Sequence, residues 1–251
     1  MSADAAFRWF TVVHLESPAG LVAASLDALR DGIAAAPPES LFEHVTRTPL
    51  RHPHARDLPA NDFARWVRAS LQDPETAERL AYAGSSSTPA LEELRNALLQ
   101  VLDGVPARRR RATAPEEASF HFLRCRSLAV PLPLETDTLE SAVEAWPRLD
   151  LSAVFYHLIE SRVLGPETAW LPHWLRACGA ARLSEAAERV AATGQSLPRL
   201  QREIAQRWRR AQIGARLLRK AEAPEAVRRS EAHETISQVA RRLRTPPEEE
   251  P

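Results

Sequence analysis

Two histidines, His44 and His157, are the side chains of this sequence that could most readily do chemistry. Each follows a phenylalanine by two positions, Phe42 and Phe155, inside an otherwise apolar segment. An imidazole can bind a metal or carry a proton near neutral pH, so two histidines that approach one another could form a metal or proton site. We favour the alternative, in which each imidazole is buried and hydrogen-bonded to the backbone.

The sequence around these histidines does not follow the patterns of known metal sites. A dinuclear carboxylate bundle uses Glu-x-x-His on two helices, whereas here the order is reversed to His157-x-x-Glu160, and Arg47 occupies the matching position of the first segment. The two cysteines, Cys125 and Cys178, lie too far apart for a local zinc or redox motif. With only eight glycines, the chain also lacks a glycine-rich phosphate loop. We therefore predict no metal and no other cofactor.

Arginines form a second candidate site near the end of the sequence. Residues 199–220 contain eight basic side chains and a single acidic one, Glu203. A basic stripe on a helix could bind phosphates or an acidic partner. The whole chain balances 33 Lys and Arg against 33 Asp and Glu, so its net charge gives no general attraction to nucleic acid. The candidate basic patch consists of Arg202, Arg207, Arg209, Arg210 and Arg216.

The elements that position these residues occur twice along the chain. The segment at Phe7 recurs at Phe120, an offset of 113 that also relates His44 to His157, and Trp66 matches Trp174 at an offset of 108. Because the matches keep their order, we interpret the chain as a tandem duplication of a strand-plus-helices domain. The predicted segments are copy one at 1–104, an Arg/Pro linker at 105–118, copy two at 119–220, and an exposed helix with a disordered acidic tail at 221–251.

The residue patterns predict a mainly α-helical, bundle-like fold with a minor strand component. We expect short strands at Phe7–Leu15 and Phe120–Val130, a helix whose apolar face runs from Leu21 to Ile33, and a loop from Thr48 to Pro59. Asn61 or Asp62 is expected to cap the next helix. Pro147 should interrupt the matching helix of the second copy.

The sequence resembles a known bacterial and archaeal family that is catalogued as a domain of unknown function. The resemblance rests on Ser40-x-Phe42-x-His44, followed by Asn61-Asp62-Phe63-x-x-Trp66 and then Ala77-Glu78-Arg79-Leu80. It covers residues 7 to about 208, although copy two has Ala169-Trp170-Leu171 in place of Asn-Asp-Phe. The resemblance implies a short strand with about four helices in each copy, and it implies no activity.

These observations favour a cytoplasmic, non-enzymatic protein that binds or scaffolds another protein. The first residues lack a secretory signal, and no uncharged apolar stretch is long enough to span a membrane. One alternative is a protein that binds nucleic acid through its arginines, and another is a metal-dependent or small-molecule enzyme centred on the histidines. The predicted binding groove lies between the two copies and is lined by His44, His157, Trp66, Trp174, Phe42 and Phe155.

Overall fold

The computed structural model describes residues 6–52, 61–85, 90–192 and 196–222. The chain is mainly α-helical, as predicted, and the described residues contain one two-stranded antiparallel sheet. By its internal contacts the chain divides into two compact units, residues 1–206 and 207–251. No helix in the described part of the chain is both long and apolar enough to cross a lipid bilayer.

The sheet is a long ribbon formed by one strand from each half of the chain. Strands β1 (Phe7–Ala23) and β2 (Phe120–Thr136) each contain 17 residues. They pair along their whole length, with Phe7 opposite Thr136 and Ala23 opposite Phe120. Both strands are longer than predicted, because irregular pairing accommodates prolines that usually end a strand. One irregularity lies opposite Pro133 of β2, between Arg8 and Phe10, and the other lies between Pro18 and Val22. Gly20, at φ 77°, supplies the left-handed conformation within that irregularity.

The first half continues from the ribbon into a series of helices. The first of these begins later than predicted, because the hydroxyl of Ser25 caps it by accepting a hydrogen bond from the amide of Ala28 at 3.2 Å. The predicted loop after Thr48 begins as a helical turn, and its residues 53–60 lie outside the described residues. The elements are α1 (Leu26–Ala35), α2 (Pro38–Leu41), a π-helical turn (Phe42–Thr46), α3 (Thr48–Arg51), α4 (Asp62–Ser70), α5 (Pro74–Ser85) and α6 (Leu91–Asp103).

The second half follows the same order after a helical turn within the predicted linker. Helix α8 ends at Ala145, and Trp146–Arg148 form a 3-10 turn, which confirms the predicted interruption at Pro147. The elements are α7 (Ala107–Arg110), a 3-10 turn (Glu116–Ala118), β2, α8 (Leu139–Ala145), a 3-10 turn (Trp146–Arg148), α9 (Leu151–Phe155), a second π-helical turn (Tyr156–Glu160), α10 (Ser161–Val163), a 3-10 turn (Glu167–Ala169), α11 (Leu171–Ala177), α12 (Ala181–Ala191) and α13 (Leu197–Glu222).

One face of the ribbon packs on the helices and is rich in buried aromatic rings. Phe7 and Trp9 of β1 are buried, as are Phe120 and Phe122 of β2. A Cβ at Gly32 of α1 would lie 2.5 Å from the ring of Phe122, so only glycine permits this close approach of helix and strand. The ribbon therefore supplies a common wall for the cores of both halves.

Candidate ligand-binding site

His44 lies on the first π-helical turn, and both of its ring nitrogens are hydrogen-bonded. Its Nε2 accepts the backbone N–H of Leu123 on β2 at 2.8 Å. Its Nδ1 therefore carries the proton and donates to Asp62 Oδ2 at 3.0 Å. Burial alone would raise the pKa of Asp62, but hydrogen bonds from His44 and Arg51 outweigh it and hold that pKa below its usual value.

His157 occupies the corresponding place on the second π-helical turn. Its Nε2 accepts the backbone N–H of Phe10 on β1 at 2.8 Å, and its Nδ1 donates to the carbonyl of Ala169 at 2.7 Å. Burial lowers the pKa of His157 to about 4, so the ring is neutral at neutral pH. Each histidine thus binds an amide of the strand that belongs to the other half of the chain.

The six residues of the predicted groove lie in separate aromatic clusters. His44 packs against Phe120, which also contacts Trp66, with ring centroids 4.8 and 5.8 Å apart. His157 packs against Phe7, which contacts Trp174, at 5.0 and 5.3 Å. Phe42 and Phe155 form a third group, with ring centroids 6.1 Å apart. The structure therefore brings the predicted residues together in groups, and of the six only Trp174 lines the pocket described below.

The arginines of the predicted basic patch lie on α13. The side chains of Arg202, Arg207, Arg209 and Arg210 are exposed, whereas that of Arg216 lies outside the described side chains. In the linker, Arg109 is ion-paired with Asp73 and Glu75, and Arg110 with Asp27.

A buried polar cluster lies between the ribbon and the two π-helical turns. His14 Nε2 donates to Glu160 Oε2 at 2.8 Å, and both side chains are almost fully buried. Arg47 forms ion pairs with Glu43 and with Glu16. In the described ranges, no group of three or more His, Cys, Asp or Glu side chains is arranged to hold a metal ion.

Cys125 lies within this cluster as a buried thiol. The guanidinium of Arg47 approaches its Sγ at 3.5 Å, yet burial raises the pKa of Cys125 to about 11. The thiol is therefore protonated at neutral pH and is a poor nucleophile.

A pocket of about 560 Å³, which we call the strand pocket, opens beside this cluster. Its walls come from the start of β1, from β2, from the second π-helical turn and from α11, and they are mainly apolar. Few polar side chains reach it, among them Arg8 and His173. The residues that line it are Ala6, Phe7, Arg8, Phe10, Ala129, Tyr156, Pro166, Thr168, Ala169, His173, Trp174, Ala177 and Cys178.

The sequence patterns do not point to most residues of the strand pocket. Phe7, Phe10 and Tyr156 look like ordinary core aromatics in the sequence, and the alanines give no signal at all. Trp174 and the aromatic content of the predicted first strand are the indications that the sequence offers. The pocket forms where β1 and α11 come together, and these two elements lie more than 140 residues apart in the chain.

A family model covers most of the chain. The model described as "Family of unknown function (DUF5752)" matches residues 4–209. The chain belongs to this family. The DUF5752 match includes every element that forms the strand pocket, and the family description assigns no activity.

A solved structure shares the fold of this DUF5752 chain. OrfY from Thermoproteus tenax is 26% identical, with a TM-score of 0.72, over 84% of this chain and 97% of OrfY. Among the curated proteins, no relative matches. The comparisons therefore support the architecture and indicate no function.

Proposed function

We propose that this protein is a non-enzymatic binding protein that takes a small apolar molecule into the strand pocket. The observation that carries the proposal is the pocket itself, an open cavity of about 560 Å³ lined by aromatic and small apolar side chains. Ligand sites in proteins are typically concave, mostly apolar cavities of this size with a few polar groups. Phe7, Phe10 and Trp174 offer flat faces on which an aromatic or alicyclic body can pack.

The state of the histidines and of Cys125 supports binding rather than catalysis. Both ring nitrogens of His44 and of His157 are already used in hydrogen bonds that hold the ribbon against the π-helical turns. A general base needs a free nitrogen within reach of its substrate. The buried thiol of Cys125 is protonated at neutral pH. These side chains therefore serve the fold.

Binding of a neutral fluorescent probe, N-phenyl-1-naphthylamine, tests this function. We expect saturable binding at one site, with the blue-shifted emission of an apolar environment. The substitution Ala177→Trp places a large ring at the exposed rim of the pocket and should weaken binding at least about tenfold. Ala35→Trp is the matched control, because Ala35 is an exposed alanine of α1 that does not line the pocket. Equal binding by both variants, or no saturable site, would contradict the proposal.

We also propose that the two halves arose by duplication. His44 and His157 occupy the same place in the element order, as do Trp66 on α4 and Trp174 on α11. The contacts are reciprocal: each histidine accepts an amide from the other half, and those amides, of Phe10 and Leu123, are themselves 113 residues apart. The irregularities of the ribbon match as well. At one irregularity residues 132–134 of β2 lie opposite Trp9 of β1, and at the other residues 19–21 of β1 lie opposite Phe122 of β2. Trp9 and Phe122 are themselves 113 residues apart.

A second candidate function is docking of another protein on the outer face of the ribbon. Four large apolar side chains at its centre are 38 to 56% exposed: Val13, Leu15, Leu128 and Val130. Contiguous exposed apolar groups of this kind commonly mark interaction sites. Arg124 and Arg126 are exposed on β2 beside them, so the expected partner presents an apolar patch bordered by acidic side chains.

Site-specific photo-crosslinking in the native organism tests this docking. A photoreactive residue at position 128 should capture a partner that the same residue at position 82 does not capture, although Tyr82 is 82% exposed. The purified partner should bind the protein directly and should lose affinity when Leu15 and Leu128 are both changed to serine. Adducts formed only with a second copy of this chain, or equally at both positions, would argue against this function.

A further inference from the structure

A second cavity, of about 400 Å³, adjoins the strand pocket and has different chemistry. The two cavities share Ala129, Tyr156 and Pro166 as lining residues, so they are direct neighbours. Glu160 and Ser127 are among the residues that line the second cavity. We call it the acid pocket.

Two residues that line the acid pocket have buried oxygens without a hydrogen-bond partner among the described residues. Glu160 is 1% exposed, and while its Oε2 accepts from His14, its Oε1 has no such partner. The hydroxyl oxygen of Ser127 is also buried and also has no hydrogen-bond partner among the described residues. A buried carboxylate oxygen without a donor is unfavourable, so this site is suited to a ligand that supplies one.

The charges around Glu160 favour a cationic donor. The guanidinium of Arg47 contacts Cys125, which lines the acid pocket. Arg47 is already ion-paired with two carboxylates, those of Glu43 and Glu16. At the rim, exposed Arg126 and Glu39 carry opposite charges. Among the described residues, His14 is the one imidazole bonded to Glu160, and it contacts Oε2 rather than Oε1.

We propose that the two cavities together bind one amphipathic amine, with an apolar body in the strand pocket and a primary ammonium at Glu160 Oε1 and Ser127 Oγ. This inference rests on the proposed function and names its ligand class. An ammonium has three N–H donors and no acceptor, which matches a site made of a carboxylate and a hydroxyl oxygen. Hydrogen bonds between opposite charges are stronger than neutral ones, so the amine is preferred to a neutral molecule of the same shape.

Isothermal titration of the full chain with three probes of similar shape tests this ligand class. The probes are 2-phenylethylamine, 2-phenylethanol and 3-phenylpropanoate, which differ in the polar group attached to one aromatic body. We expect the amine to bind at least about tenfold more tightly than the alcohol, and the carboxylate to bind most weakly. The substitution Glu160→Gln should remove the preference for the amine while leaving the affinity for the alcohol within about twofold.

Two further variants separate this role from a general effect on folding. Ser127→Ala removes one acceptor and should reduce the preference for the amine by a few fold. Glu140→Gln, at an exposed position of α8 that lines neither cavity, removes a carboxylate elsewhere on the surface, and it should leave the preference unchanged. If Glu160→Gln fails to fold, the preference in the wild-type chain and its change in Ser127→Ala still decide the question.

The outcomes distinguish this inference from the proposed function. Equal affinities for amine and alcohol, or tighter binding of the carboxylate, would overturn the amine assignment. If the alcohol then still binds and Ala177→Trp still weakens it, the strand pocket remains a binding site for apolar molecules. If none of the three probes binds and the naphthylamine probe also fails, both proposals are wrong.

Discussion

At the scale of single residues, His157 shows how a potentially catalytic side chain becomes a structural one. The backbone N–H of Phe10 points at its Nε2 at 2.8 Å, and the carbonyl of Ala169 receives its other N–H. Protonation of Nε2 would bring two N–H groups face to face. The fold therefore requires the neutral ring, and burial acts in the same direction.

The stability of the protein should fall with acid through this residue. The pKa of His157 drops from 6.5 to about 4 on folding, so below pH 6.5 the unfolded chain takes up a proton that the folded chain resists. The free energy of unfolding should decrease by about 1.4 kcal/mol per pH unit, or about 3 kcal/mol in total, between pH 6.5 and 4. Above pH 6.5 this contribution is constant.

Urea denaturation at several pH values measures the effect against His157→Gln, which does not titrate there. The stability advantage of the wild-type chain over the variant should shrink as the pH falls. His121→Gln, at an exposed position of β2, is the control and should follow the wild-type profile. A constant difference between wild type and His157→Gln across this range would show that the imidazole does not carry the linkage.

Asn61 is a second residue whose tertiary role exceeds its local one. Its Oδ1 caps α4 by accepting from Ala64 N at 2.8 Å, and its Nδ2 donates to the carbonyl of Leu80 on α5 at 2.9 Å. Asn61→Ala should cost about 2 to 4 kcal/mol in the free energy of unfolding, since it removes a cap and leaves a buried carbonyl without its donor. Thr138→Ala, which removes an exposed cap of α8, should cost about 1 kcal/mol. Chemical denaturation gives both values, and equal losses would contradict this reading of Asn61.

At the scale of elements, the two π-helical turns position the site, because they contain the two histidines and lie beside the polar cluster. Turns of this kind are frequent at functional sites. Here the second turn contributes Tyr156 to both cavities and ends at Glu160. Burial, and next the charge of Glu160, raise the pKa of Tyr156, so its phenol stays protonated.

Helix α13 is the element that the alternative function, binding of nucleic acid, would use. If its exposed arginines bind nucleic acid, the protein should bind mixed-sequence DNA or RNA at about 50 mM salt, and this binding should weaken steeply as salt is added. Changing Arg207, Arg209 and Arg210 together to alanine should abolish it. Fluorescence anisotropy with a labelled duplex measures both effects. The same triple change should leave the naphthylamine probe bound, and a lack of any binding at low salt would remove this alternative.

At the scale of the whole molecule, the ribbon joins the two halves of the chain. Strand β1 of the first half pairs with β2 of the second, and each histidine crosses to the strand of the other half. Neither half can therefore complete its own core or satisfy its own strand without the other.

Cleavage of the connection between the halves tests this dependence. A protease site inserted after Arg111, which is exposed at the end of α7, should be cut without separating the two fragments. They should co-elute in size-exclusion chromatography under native conditions and separate only in denaturant. Fragments that part without denaturant would show that the ribbon does not hold the two halves together.

The sequence by itself determined the mainly helical fold class, the break at Pro147 and a helix cap at Asn61 or Asp62, because these depend on local spacing and backbone chemistry. It placed the strands but not their length, since a bulge that tolerates Pro18 is stabilised only by a partner strand. Only the tertiary structure decided that the histidines bind opposite strands and that β1 and α11 enclose a pocket. Such contacts join residues distant in the chain, and their energies depend on burial and geometry that local patterns do not record.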